Sequence, residues 1–235
     1  MTTVNIPIMQ QTLYDKYLKP SGWGDKLKTF LLSEDFKSVL EYLVAESGSG
    51  KKFTPVLKQV FRGFQECPYE ELKVIIVNTE PYCGAGIADG IAFSCANTDK
   101  VQSSLQHIFK ELERTVYPDG MRWDPDLKRW SNQGVLMLNT SLTTQIGNPG
   151  THAELWKPFM AFLFDMLAHY NSGLIYVFMG KDAKEWAKMV PVNNYKMFTI
   201  HPAFAAYTDS EWNSGGVFNQ INKILNQNQN TEITW

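Results

Sequence analysis

Residues 73–86 read KVIIVNTEPYCGAG, in which four consecutive β-branched residues run straight into polar, proline and glycine positions. A short run of this kind, bounded by turn residues, reads as a strand buried on both faces, as in a parallel sheet. Three similar runs follow at 134–139 (GVLMLN), 174–180 (LIYVFMG) and 196–201 (KMFTIH). Between them lie stretches with apolar residues at helical spacing. Leu105, Ile108, Phe109 and Leu112 mark 104–114; Trp156, Phe159, Met160, Leu163 and Leu167 mark 152–169, with Gly173 as a stop; Val217, Phe218, Ile221 and Leu225 mark 216–225. Alternation of strand and helix predicts an α/β fold: a three-layer sandwich with a central, mostly parallel four-stranded sheet flanked by helices.

Working outward, residues up to about 70 read as a helical preamble, in which Leu27, Phe30, Leu31, Phe36, Val39, Leu40 and Leu43 recur at spacings of three and four. The preamble and an α/β core over about 71–235 are expected to form one domain spanning 1–235, since 235 residues suffice for a single substantial core. GSGKK at 48–52 breaks the helical pattern, and it lacks the earlier glycine and preceding strand of a phosphate loop. The chain is 44% hydrophobic and 20% charged with a net charge of −2, which argues against a protein that coats nucleic acid through a general basic surface. A local basic rim around one site stays compatible with that balance. No apolar run reaches the length of about 18 residues that a membrane helix needs, and the N-terminus lacks a signal-peptide pattern. Cys67, Cys83 and Cys95 cannot all pair, and their spacing suits no zinc site. A reducing, intracellular setting is the expectation.

In an open parallel sheet, ligands bind outside the carboxyl ends of the strands. The first strand runs into Glu80, the second ends at Asn139, the third at Gly180-Lys181 and the fourth at His201-Pro202. Topology alone therefore draws a carboxylate, an amide and an imidazole to one rim. Each of the three, taken singly, serves equally well as a helix cap or turn residue; their convergence is what points to a site.

Beyond this, the chain resembles the uracil-DNA glycosylases of the common, highly specific type, collinearly from about Trp23 to Trp235. The family's first motif, G-Q-D-P-Y-H-G-x-G-x-A-x-G-L-x-F-S, stands here as NTEPYCGAGIADGIAFS (78–94). The helix opening SSLQHIFKELE (103–113), the run WSNQGVLMLNTSLTT (130–144) and then Gly150, His152 and Trp156 follow in the family's order. LIYVFMGKDA (174–183) is similar to the strand that carries a glycine-serine pair, IHPAFAA (200–206) to the H-P-S-P-L-S loop, and EITW (232–235) to the closing I-D-W.

The resemblance implies hydrolysis of the N-glycosidic bond of a uracil flipped out of DNA, with water as nucleophile and neither metal nor organic cofactor. Glu80 and His201 are the implied catalytic pair: a carboxylate beside the sugar, and a neutral imidazole that donates to the uracil O2. Asn139 would read N3–H and O4, Phe93 would stack on the base, Tyr82 would exclude a methyl at C5, and Thr79 would complete the base-binding set. Ser104, Gly180, Lys181, Pro202, Ala203, Phe204, Ala205 and Tyr207 are the implied DNA contacts. Together Glu80, Phe93, Asn139 and His201 are expected to surround a slot for one pyrimidine.

The departures from the pattern cluster in the chemistry. The family's aspartate is Glu80, which moves the carboxylate by about 1 Å, a displacement able to cost about a hundredfold in rate. The glycine-glutamine pair before it is Asn78-Thr79, the histidine after the tyrosine is Cys83, and the serine of the glycine-serine pair is Lys181, a point charge for phosphate. The intercalating leucine falls at Ala205, with Phe204 or Tyr207 nearby as aromatic wedges. The loop 97–104 lacks the family's prolines. Cys83 has no basic partner in sequence that would make it a nucleophile. Three readings follow: a divergent uracil glycosylase; a glycosylase for another or modified pyrimidine; and a catalytically weak relative that binds DNA or a protein. The expected partners are DNA and, among proteins, a glycosylase inhibitor or a replication factor. A monomer is expected, without a membrane.

Overall fold

The computed structural model describes residues 5–208 and 210–235, with the side chains of 206–208 excepted. Six strands occur among them: β1 (Phe53–Thr54), β2 (Val74–Asn78), β3 (Val135–Asn139), β4 (Thr144–Gln145), β5 (Ile175–Met179) and β6 (Tyr195–Thr199). Four form one sheet in the order β3-β2-β5-β6, and every pairing in it is parallel. The expected sheet is thus present and wholly parallel. The two-residue strands β1 and β4 form a separate antiparallel ladder that was not apparent in the sequence, being too short for any periodicity.

Side chains alternate across the sheet. Ile75, Val77, Leu136, Leu138, Tyr176 and Phe178 pack into a core with the N-terminal helices and with Phe159 and Leu163 of helix Ala153–Tyr170. Val74, Ile76, Val135, Met137, Ile175 and Val177 face a second core closed by helices Ser103–Thr115 and Val217–Gln227. The preamble and the sheet therefore share one hydrophobic layer. Its helical periodicity resolves into two helices, Trp23–Leu31 and Glu34–Gly48, with Ser33 capping the second by accepting from the Phe36 N–H.

The expectation of four buried strands fails for the last one. β2, β3 and β5 are buried at every position, whereas β6 lies at the sheet edge with Phe198 48% exposed. Its apolar residues resemble those of a buried strand; β3, at the opposite edge, is covered at every position, so it is the cover over β6 that is lacking and not the composition. Among the described residues no helix is long and apolar enough to cross a membrane.

One buried charge pair organises the segment between β2 and helix Ser103–Thr115. Asp89, fully buried, accepts from the Ile91 N–H, the Ser94 hydroxyl at 2.6 Å and the Ala96 N–H at 2.8 Å. Arg62 lies 3.0 Å from the same carboxylate and also grips Asp126 through two bonds from one guanidinium nitrogen. Phe93 sits inside this clamp. Asp89→Ala is expected to leave Arg62 and three donors short of a buried acceptor, lowering stability by about 3 kcal/mol. Urea unfolding checks it: a midpoint unchanged from wild type would show that the clamp is dispensable.

Candidate active site

The parallel register sets the floor of the site. Asn78 and Asn139 are direct partners at the ends of β2 and β3, so their side chains share one face of the sheet. His201 lies two residues past the end of the edge strand β6, at the same rim. Gly180, after β5, has φ of 97°, and a Cβ there would stand 3.1 Å from the His201 Cβ. Glycine is thus needed for conformation and for the close approach of the imidazole.

His201 is held in one tautomer. Its Nδ1 accepts from the Ala203 N–H at 3.0 Å, so that nitrogen carries no proton and Nε2–H is the donor. Burial lowers the His201 pKa below the ordinary histidine value, which favours the same neutral form. Phe93 packs beside it, with ring centroids 5.6 Å apart. Phe93 has φ of 65°, a left-handed conformation uncommon away from glycine. Asp89 and its partners hold the loop there. Tyr82 donates its hydroxyl to the Phe93 carbonyl at 3.1 Å, and burial raises its pKa, so the ring stays protonated and fixed.

The expected slot has a different floor. Nε2–H of His201 donates at 2.8 Å to Oδ1 of Asn78, and Nδ2 of Asn78 donates at 2.7 Å to Oδ1 of Asn139 and at 3.0 Å to the Glu80 carbonyl. One carboxamide spans the histidine and the second asparagine. Glu80, Phe93, Asn139 and His201 gather as expected, but Asn78 lies between two of them. A cavity of about 410 Å³ opens here, lined by Asn78, Thr79, Glu80, Tyr82, Phe93 and His201 among others, and not by Asn139. The open slot expected around Asn139 is therefore corrected: in this conformation Asn78 covers it.

Glu80 stands on the ridge between this cavity and a larger one of about 710 Å³, whose walls include Glu154, Lys157, Trp186 and Met189. The larger space lacks both Phe93 and His201, so the smaller one is the candidate site. The longer glutamate side chain reaches the Gly150 N–H, which donates to its Oε2. That glycine belongs to a well-anchored loop. Gly147 N–H donates to the Cys83 carbonyl at 2.9 Å, and Gln145 donates through its side chain to Glu46. Buried His152 takes a bond from or gives one to Thr143 at 2.8 Å and lies 3.0 Å from Glu46 Oε2, near but without hydrogen-bond alignment.

The residues expected to meet DNA divide. Ser104 lines the cavity. Lys181 is exposed on the rim but does not line it; its neighbour Asp182 does, an acidic residue the motif comparison did not single out. Pro202 is buried, and Ala203 acts through its N–H on His201. Ala205 is buried at 2% exposure, which removes it from the expected wedge position, whereas Phe204 is 55% exposed. The side chain of Tyr207 lies outside the described residues. Asn78 was missed as a site residue, although the polar residue closing an apolar run was a signal. Among the described residues no cluster of three or more His, Cys, Asp or Glu is arranged to hold a metal ion.

Comparison with known proteins shows the family. Residues 64–226 match the model of the uracil DNA glycosylase superfamily. A uracil-DNA glycosylase of Pseudomonas aeruginosa (strain UCBPP-PA14) is 32% identical over 227 residues, covering 94% of this chain and 96% of the relative. The uracil-DNA glycosylase of Azotobacter vinelandii is 30% identical, covering 94% and 95%. In fold, the crystal structure of mimivirus uracil-DNA glycosylase superposes with a TM-score of 0.84 at 24% identity, covering 99% of this chain and 89% of that one. A variant of mimivirus UNG in complex with UGI gives 0.85 at 24% identity, covering 99% and 91%. A family match across most of the chain, and relatives at this identity over nearly all of it, make the chain a member of the uracil DNA glycosylase superfamily.

Proposed function

We propose that this protein is a DNA glycosylase of base-excision repair that releases uracil from DNA. The observation that carries the reading is the pair of His201 Nε2–H and Asn139 Oδ1, a donor and an acceptor set at the spacing of one amide beside the Phe93 ring. Uracil presents that amide edge as O2=C2–N3–H. Cytosine presents two acceptors there and leaves Asn139 Oδ1 unmatched.

The chemistry follows from the charges that develop. The N1–C1′ bond breaks with its electron pair leaving on uracil, and the sugar gains positive character. His201, neutral, donates to O2, where the negative charge gathers, without carrying a desolvated charge of its own. Glu80 balances the sugar and orients water; the water oxygen bonds C1′ and its proton passes to the carboxylate. Thr79 and Tyr82 close the base side, Ser104, Lys181 and the 201–204 loop meet the backbone, and Phe204 fills the space that the flipped nucleotide leaves. The protein acts as a monomer on DNA, and its three unpaired cysteines suit a reducing, intracellular setting. A protein inhibitor is the further partner class, by analogy with the mimivirus UNG–UGI complex. The Asn78 bridge and the Glu80–Gly150 bond favour a second reading, a catalytically weak relative that binds DNA.

The test is base release from a single-stranded oligonucleotide with one uracil, followed by alkaline scission. Scission at the uracil is expected for wild type, falling by a factor of about 10² or more in His201→Ala and in Glu80→Gln. Tight binding with no release of any base would leave the second reading. Asn139→Asp is expected to extend release to cytosine, because a carboxylate accepts from the exocyclic amine; a variant still confined to uracil would remove Asn139 from base selection.

Phe204→Ala is expected to slow release from duplex DNA several-fold while sparing single strands; equal losses on both would show that Phe204 does not act in flipping. The pH profile has a defined sign. His201 titrates below its ordinary value of about 6.5, so the neutral donor persists into mildly acid solution and the acid limb of kcat/KM from this group lies below that value. The stability that His201 contributes is whole above about 6.5 and is lost as pH falls through its depressed folded value. Ring NMR titration of His201 gives the measurement; a pKa at or above 6.5 would contradict the assignment.

A further inference from the structure

We propose that the Asn78 carboxamide is a built-in ligand of the base site, bound to the same donor and acceptor that a base must use, so that a base enters only when Asn78 swings out. The inference rests on the reading of this cavity as a base pocket and adds the residue that controls entry to it.

The orientation of the amide is fixed at both ends by backbone groups, which have only one possible role. The Ala203 N–H must donate, so His201 Nδ1 accepts and Nε2–H donates. The Glu80 carbonyl must accept, so the Asn78 atom facing it is Nδ2. Asn78 Oδ1 is therefore the acceptor for His201, and Nδ2–H also reaches Asn139 Oδ1. The group O=C–N–H spans the two residues in the same sense as the imide edge of uracil. Asn78 is 4% exposed and Asn139 6%, so most of the bridge is withdrawn from water, with Asn78 meeting the cavity.

Placement makes competition unavoidable. Asn78 and Asn139 are register partners on one face, and the cavity meets Asn78 where it would otherwise meet Asn139. Neutral His201 has a single N–H, already given to Asn78 Oδ1, so a base stacked beside Phe93 gains that donor only when Asn78 releases it. Entry of a base therefore requires a rotation of Asn78 about its side-chain bonds to free both groups, the strand staying in place. Glycine at this position would leave them open permanently. Asn78 therefore acts as an internal competitor that weakens base binding and confines occupancy of the pocket to an edge able to replace an amide.

The experiment compares wild type, Asn78→Gly and Asn78→Ala in binding of free uracil, followed by NMR of the His201 ring and the side-chain amides, and in kcat/KM on the uracil oligonucleotide. Uracil is expected to bind both variants at least tenfold more tightly than wild type, and cytosine to gain little. In wild type, uracil is expected to shift the Asn78 amide protons as they leave their acceptors, and kcat/KM is expected to rise in the variants mainly through KM. Equal uracil affinity in all three proteins, absence of uracil binding from all of them, or Asn78 amide signals that stay put as uracil binds would overturn the proposal, whatever the excision activity. Tighter uracil binding by the variants without release from DNA would uphold the competitor and discard the excision reading. Should Asn78→Gly fail to fold, Asn78→Ala and the wild-type amide signals decide alone.

Discussion

The parallel pairing of β2 with β3 and β5 is the constraint on which the site depends. Because side chains alternate along a strand, a register slip of one residue would turn Asn78 or Asn139 to the opposite face. The register is secured by apolar side chains on both faces, Ile75 and Val77 into one core and Val74 and Ile76 into the other. Neither core could accept the shifted set, since Asn78 would enter the helical side. The hydrophobic layers thus specify where two amides meet, although neither amide contributes to them.

How much of this was legible depends on the kind of signal. The buried strands carry their own signature, since burial on both faces requires continuous apolar runs, and β2, β3 and β5 were plain for that reason. β6 has a similar composition but is left less covered than β3 at the opposite edge, and which edge is covered is a property of the whole fold. The rim residues Asn139 and His201 were legible from topology, because strand ends converge. The Ala205 position was not, because burial of a loop residue depends on which helix forms there, here Ala203–Thr208. The bridge made by Asn78 lay furthest from reach. A motif comparison registers glycine replaced by asparagine, but whether the new side chain points outward or across to an imidazole 123 residues later is decided by geometry.

The site is also held by groups that never touch its ligand. Phe93 occupies a strained left-handed conformation, which lasts only if its surroundings over-determine it. Asp89 supplies that through three donors and Arg62, while Tyr82 ties the Phe93 carbonyl from the other side. Gly180 and Ala203 do the same for His201, one by making room and the other by accepting no alternative tautomer. Rigidity here comes from paired polar groups in a dry setting, where an unpaired one would be costly.

Two polar side chains at the centre are satisfied by the protein itself: the Asn78 amide by His201 and Asn139, and one Glu80 oxygen by Gly150. In the proposed function, both bonds use atoms that a base and a sugar would engage. A resting site with its own partners in place pays no desolvation penalty for leaving them unpaired, and this favours stability over affinity. DNA must then supply replacements of equal quality, an amide edge for one pair and a charge or ordered water for the other. Edges with two acceptors fail the first condition at once, since they leave Asn139 Oδ1 facing a lone pair. Self-pairing therefore sharpens discrimination while it lowers occupancy. Under the proposed reading, a chain with asparagine where the resembled motif has glycine is one in which selectivity and slow entry have the same physical origin.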